Sequence, residues 1–313
     1  MRIYLLQVVS LFCVYTTALQ AQENDAINTF QGQDIEAMKA TENIDFVAAT
    51  TTETSAFEAS KPLNSPDKEG NTKIGFFETP NSPYKMDWRA EAFIIPAGIG
   101  VMTASMFLDK TKGVCLPGSY NMDHMIGINR RSVRPINERP AKISDGFFFG
   151  SVAAPSLLLF DKDIRRDKSF YMMWAEVMLI NSSLTMMAKS AADHPRPYVY
   201  NSSENDNAKM EGKDPLRSFF SGHTSMTAAS TFFMAKVWTD YHPHSKWRFA
   251  VWGAAAATPA VTGYLRVRAG MHFPTDVALG YVVGAATGYL VPLVHQKLQQ
   301  RKEREHPHKM EAF

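Results

Sequence analysis

An all-α helical bundle is the fold class this sequence predicts, and three observations carry the prediction. Apolar stretches recur at 92–108, 146–160, 170–188, 224–239, 249–265 and 277–294. Each is longer than a usual strand and rich in Ala, Met, Leu and Phe, which favour helix. Charged or Pro/Gly-rich connections separate them, so the chain reads as a bundle of about six apolar helices.

What precedes the bundle has a different character. The opening "MRIYLLQVVSLFCVYTTALQAQEN" places Arg2 before an apolar run that ends in the small residue Ala21. That is the layout of a cleavable export signal over 1–21. Residues 22–86 are rich in Thr, Ser, Asn, Glu and Asp and show little apolar periodicity, as a flexible polar segment does. The helical domain then runs over 87–296, followed by a basic tail at 297–313. The two cysteines are Cys13 and Cys115; cleavage leaves Cys115 alone, so no internal disulfide is expected. A net charge of +2 points to no nucleic-acid partner, and no Cys/His cluster has zinc spacing. No cofactor and no obligate protein partner are implied.

Several apolar stretches approach the ~20 residues a membrane-spanning helix needs. Against this, 170–188 contains Glu176 and Asn181, and 249–265 is diluted by Thr, Pro and Gly. The connections 161–169 and 240–248 and the C-terminal tail are all basic. If the five stretches from 146 onward span, with residue 145 outside, all three basic segments fall inside, as the positive-inside rule prefers. Segment 92–108 then lies along the bundle without spanning; the alternative is a soluble bundle with a very apolar core. Membrane association is the reading carried forward.

Polar residues cluster in three connections between apolar segments, where unpaired charge is costly. "KSAADHPRP" holds Lys189 and Arg196; "SFFSGHTS" holds Ser221, Gly222 and His223; "RVRAGMHFPTD" holds Arg266, His272 and Asp276. Three cations suit phosphate oxygens, and guanidinium forks match them well. "SGHTS" ahead of an apolar helix offers backbone N–H groups and a helix dipole, with Gly222 allowing close approach. Pro274 suits the first position of the last helix, which leaves His272 just outside it. Asp276 can then accept a hydrogen bond from the imidazole and hold its tautomer. A histidine so oriented can attack phosphorus, and His223 can protonate the leaving oxygen. Taken singly, these motifs are a helix cap, an i,i+4 pair and a basic loop. In this order, each at the end of an apolar segment, they describe a seat for a tetrahedral oxyanion.

The three stretches resemble the signature of the type 2 phosphatidic acid phosphatase and vanadium haloperoxidase superfamily: K-x6-R-P, P-S-G-H and S-R-x5-H-x3-D. The resemblance covers about 146–294 and implies a helical fold of that type. It implies phosphate contact by Lys189, Arg196, Ser221, Gly222 and Arg266. It also implies His223 as general acid, His272 as the nucleophile that becomes phosphohistidine, and Asp276 as its orienting partner. Phe220 stands where the family has Pro, and Leu265 where it has Ser; neither removes a chemical group from the set. Arg268 is read as solvated, and Asp193 and His194 lie outside the signature positions. Segment 123–145 resembles the amphipathic segment that precedes the core bundle in this superfamily; its Arg130, Arg131, Arg134 and Arg139 are suited either to steering anionic head groups or to forming a solvated helical face.

The expected activity is metal-independent hydrolysis of a phosphate monoester or pyrophosphate, with a phosphorylated lipid as substrate at the outer face of a membrane. The alternatives are a soluble periplasmic acid phosphatase for small phosphate esters, a vanadate-dependent haloperoxidase, and a non-catalytic phosphate-binding membrane protein.

Overall fold

The computed structural model describes residues 82–305, apart from 111–112, 114, 116–119, 124 and 201–212. The expected signal at 1–21, nearly all of the polar segment 22–86 and the last residues of the tail lie outside the described residues. Among those described there are eight α-helices, three short 3-10 turns and no strand. Six helices are long: α1 (Trp88–Lys110), α3 (Glu138–Ala153), α5 (Lys168–Ala191), α6 (Gly222–Tyr241), α7 (Arg248–Arg268) and α8 (Pro274–Glu305). The short ones are α2 (Gly127–Arg130) and α4 (Lys162–Arg166). Five of the long helices each contain a whole apolar stretch, extended by a few residues at most ends. The 146–160 stretch divides between α3 and a 3-10 turn, Ala154–Phe160.

Local chemistry sets the ends. The Asp167 carboxylate accepts from Ser169 N and starts α5, and the Ser221 hydroxyl accepts from Thr224 N and starts α6. α7 stops at Gly270, whose φ of +74° only glycine adopts cheaply. There Gly270 N donates to Val267 O and Met271 N to Arg266 O, the paired bonds of a Schellman motif. α8 opens on Pro274, and the Asp276 carboxylate reaches back to Phe273 N at 3.0 Å.

α6 occupies the centre, buried from Gly222 through Val237 on nearly every face. α5 and α7 run antiparallel to it. Asn181 on α5 accepts from Ser225 at 2.7 Å, and Thr231 donates to Ala255 O of α7 at 2.9 Å. α8 runs parallel to α6 at very close range. A Cβ built on Gly280, Gly284 or Gly288 would come within 2.6, 1.9 or 2.2 Å of Ser221 O, Ser225 O or Ala229 O. Phe170, Met173, Val177, Phe233 and Val237 fill the core between α5 and α6. α1 lies lengthwise on α5 and parallel to it: Gly98 meets Leu179, and Ser183 donates to Gly98 O at 2.8 Å.

Among the described residues, three helical segments are long and apolar enough to cross a membrane: Glu91–Lys110, Glu138–Phe160 and Pro274–Arg301. Large apolar side chains stand exposed along the bundle, among them Phe93, Phe107, Leu157, Phe160, Phe249 and Val282. The basic stretches 161–169 and 240–248 and the last turns of α8 share one end of the bundle, by the directions of α5 to α8. The three sequence motifs share the other.

Candidate active site

Four helix ends meet at that second end. Lys189 sits in the last turn of α5, Gly222 in the first turn of α6, Arg266 in the last turn of α7 and Asp276 in the first turn of α8. Parallel α6 and α8 set their N-termini side by side, and Ser221 N donates to Asp276 O at 3.1 Å. Two helix N-termini and three cationic side chains therefore converge, an arrangement that favours an anion.

The guanidinium groups are fixed before any ligand arrives. Arg196 is buried, with Nη2 on Asp214 Oδ1 at 2.8 Å and Nε on Asp214 O at 3.1 Å. Arg266 is equally buried and points Nη1 toward Ser144 Oγ at 3.4 Å and Asp145 Oδ1 at 3.3 Å. Lys189 Nζ donates to Arg217 O at 3.3 Å. Gly222 leaves room beside this group: a Cβ there would press on Thr185 Cγ2 at 3.2 Å and approach Lys189 Cε at 3.7 Å. Arg268 is exposed.

His272 is fully enclosed, and its Nδ1 lies 2.7 Å from Ser218 O. A carbonyl only accepts, so Nδ1 carries the proton and Nε2 keeps its lone pair. Burial pushes the imidazole well below its ordinary pKa, and Arg196, Lys189, Arg266 and His223 push in the same direction. His272 is thus neutral with a free Nε2.

The sequence predicts that Asp276 takes the imidazole N–H. The structure gives that place to the Ser218 carbonyl, and Asp276 Oδ2 stands 4.0 Å from Nδ1. Asp276 accepts instead from Ser218 Oγ at 2.6 Å and Phe273 N at 3.0 Å. It braces both the residue that holds His272 and the turn that presents it.

His223 faces the pocket from α6, with Nε2 3.0 Å from Asp145 Oδ1. The carboxylate accepts, so Nε2 bears the proton. The ring rests against Phe148 at 4.7 Å between centroids. Asp145 therefore holds both His223 and Arg266, a role the sequence motifs do not contain. It comes from α3, 78 positions before His223 in the chain, and its only local signal is an acid at the edge of an apolar helix. His194 was also outside the motif set. It lies 3.8 Å from Asp276 Oδ1 and edge-on to Phe273.

All eight site residues predicted from sequence lie around these helix ends: Lys189, Arg196, Ser221, Gly222, His223, Arg266, His272 and Asp276. No curated protein and no solved structure matches the chain. A family model does: residues 170–300 match the one described as the PAP2 superfamily. That span contains all three motif stretches, and the helical bundle that brings them together agrees with it, so this part of the chain is that of a PAP2 superfamily member.

Proposed function

We propose that this protein is a metal-independent lipid phosphate phosphatase that works through phosphohistidine, with its site at the outer face of a membrane. The family membership carries phosphatase-type activity in general. The observation that supports the mechanism is His272, neutral and with Nε2 free, among three cations, with His223 Nε2–H held on Asp145 beside them. Nε2 of His272 attacks phosphorus, and the bond from phosphorus to the leaving oxygen breaks. His223 Nε2–H supplies the proton that the leaving oxygen takes up. Water then attacks the phosphohistidine, His223 takes its proton, and phosphate leaves with His272 restored. Lys189, Arg196, Arg266 and the α6 N-terminus stabilise the charge on the equatorial oxygens throughout.

A lipid substrate is favoured by a groove of about 570 Å³ between α3, α6 and α7. Its walls include Phe147, Met234 and Val251, with the small residues Gly146, Gly150 and Ala154 along α3. Gly146 directly follows Asp145, so the groove begins beside the site and descends between the helices. From Gly146 to Ala154 it runs about 12 Å, enough for a length of acyl chain. Exposed Arg130, Arg131 and Arg139 rim the same end, where anionic head groups would lie. With the basic loops inside, the site faces outward.

The test is phosphate release from phosphatidate, a polyprenyl pyrophosphate and soluble esters, each with excess chelator present. Turnover of a lipid above that of soluble esters, undiminished by chelator, is the expected result. A requirement for an added divalent ion would refute the mechanism, and a preference for soluble esters would refute the substrate class. Vanadate should inhibit, because it adopts the geometry of the transferring phosphoryl group.

A further inference from the structure

The bundle holds a second polar centre at the end remote from the phosphate site. Glu91 in the first turn of α1, Glu176 on α5 and His295 on α8 converge there, each only 2% exposed. His295 Nε2 lies 2.8 Å from Glu176 Oε2 and 3.7 Å from Glu91 Oε1. Along α5, thirteen residues separate Glu176 from Lys189, or about 20 Å.

The histidine is oriented as a metal ligand is. Its Nδ1 lies 3.0 Å from Lys85 O, and that carbonyl can only accept. Nδ1 therefore carries a proton, and Nε2 is directed at the two carboxylates. A ligating histidine characteristically gives its other N–H to such a carbonyl. The segment 82–85 that carries this carbonyl is itself tied down: Lys85 N donates to His295 O at 3.2 Å, Ser82 is bonded to Asp167, and Tyr84 to Asp240.

The carboxylates are not satisfied by this histidine alone. Both oxygens of Glu91 and Oε1 of Glu176 are buried without a hydrogen-bond donor. Buried carboxylate oxygens in that condition are costly. One imidazole N–H can serve one of the four oxygens. A divalent cation serves Nε2 and both carboxylates together, and its two positive charges balance their two negative ones.

We propose that Glu91, Glu176 and His295 hold one divalent transition-metal ion that clasps α1 to α5 and α8. The ligand atoms all lie within 4.8 Å of one another. Tetrahedral ligands at 2.0–2.2 Å stand about 3.3–3.6 Å apart. The observed 2.8 and 3.7 Å bracket that separation, so small side-chain adjustments seat the ion. A ligand set of one imidazole and two carboxylates, without thiolate, suits Zn²⁺, Mn²⁺ or Fe²⁺ and disfavours Cu⁺. No step of phosphate hydrolysis involves this ion. It is a structural clasp, and it joins α1 to the family-matched helices.

The experiment uses the full chain purified in detergent. The protein is stripped with a strong chelator and then titrated separately with ZnCl2, MnCl2 and FeCl2 under anaerobic conditions. Bound metal is measured by mass spectrometry and melting by fluorescence. We expect one of these ions to bind at one equivalent and to raise Tm by about 5–10 °C at a hundredfold excess over Kd. His295→Gln and Glu91→Gln should lose the bound ion and the Tm response, while Glu138→Gln on the exposed start of α3 keeps both. Phosphate turnover at low temperature should be unchanged by stripping, which separates failure of this proposal from failure of the phosphatase reading. If no ion binds stoichiometrically to wild-type protein, or if binding survives in both ligand variants, the proposal is wrong. The first of those results would assign the centre to a proton shared between the acids and the imidazole. Should a ligand variant fail to fold, the wild-type titration decides alone.

Discussion

Gly284→Ala tests whether the distance between α6 and α8 sets the geometry of catalysis. A Cβ at position 284 would lie 1.9 Å from Ser225 O, 2.7 Å from Ser225 C and 2.9 Å from Ser225 Cα. These are backbone atoms of the central helix, so no rotamer change relieves the clash. Ordinary contact begins near 3.4 Å, which requires the helices to separate locally by about 1.5 Å. His223 and the Ser221 seat ride on α6, while His272 is held at the start of α8, about three turns from Gly284. A misplacement of about 1 Å between reacting groups can cost about 10²-fold in rate. Overpacking of this kind also costs about 1–3 kcal/mol, or roughly 3–10 °C in Tm for a domain of this size. The assay pairs fluorescence-monitored melting in detergent with kcat on a lipid phosphate. Gly253→Ala on α7 is the control: its Cβ meets nothing within 4 Å, and alanine is the better helix former. That variant should melt at or above the wild-type temperature with unchanged kcat. If Gly284→Ala matches it in both measurements, the close α6–α8 approach does not govern the site.

Three further outcomes are expected. His272→Ala should abolish turnover and any acid-labile phosphoenzyme trapped by rapid quench, whereas His223→Ala and Asp145→Asn should lose about 10–10³-fold on alkyl phosphates and much less on nitrophenyl phosphate; equal losses on both leaving groups would reassign the acid. Arg196→Lys and Arg266→Lys keep the charge but lose the fork, so each should lower kcat/KM by about 10²-fold, against about twofold for exposed Arg268→Lys; three similar effects would remove Arg266 from the phosphate seat. The His272 pKa is depressed in the fold, so it stays neutral below pH 6.5, and the stability it contributes is present above that value and declines as pH falls through it. An imidazole resonance of His272 titrating at or above 6.5 would contradict this.

The sequence made the helices and the motif residues legible because both are written locally. Apolar length gave the six long helices, α1, α3 and α5 to α8, their positions, and fixed spacing tied His272 to Asp276 and Lys189 to Arg196. Contacts that depend on which helices become neighbours left no such trace. Asp145 meets His223 and Arg266 only after α3 packs beside α6 and α7. The Ser218 carbonyl, which accepts the hydrogen bond from His272 Nδ1–H, is a backbone atom that no residue pattern announces. Glu176 and Asn181 count against a membrane span at 170–188 in the sequence; in the fold each has a partner, His295 for the acid and Ser225 for the amide. Glu91, Glu176 and His295 come from three distant segments, so no zinc-like spacing marks them.

The family-matched segment begins at residue 170, yet α1 is bound to it at both ends and in the middle. Glu91 enters the buried centre at one end, Ser183 grips Gly98 O midway, and at the other end Asp109 pairs with Arg217 while its carbonyl takes Lys213 at 2.6 Å. Eighteen residues separate the two acids, about 27 Å of helix and close to the thickness of a bilayer's hydrocarbon core. A chain begun after α1 would therefore present an uncovered face with a cation at one rim and an imidazole at the other. A helix with an acid at each end, at this separation, matches that face in charge as well as in length. α1 is in that sense a partner carried in cis, and the same helix supplied as a separate peptide should find its place again.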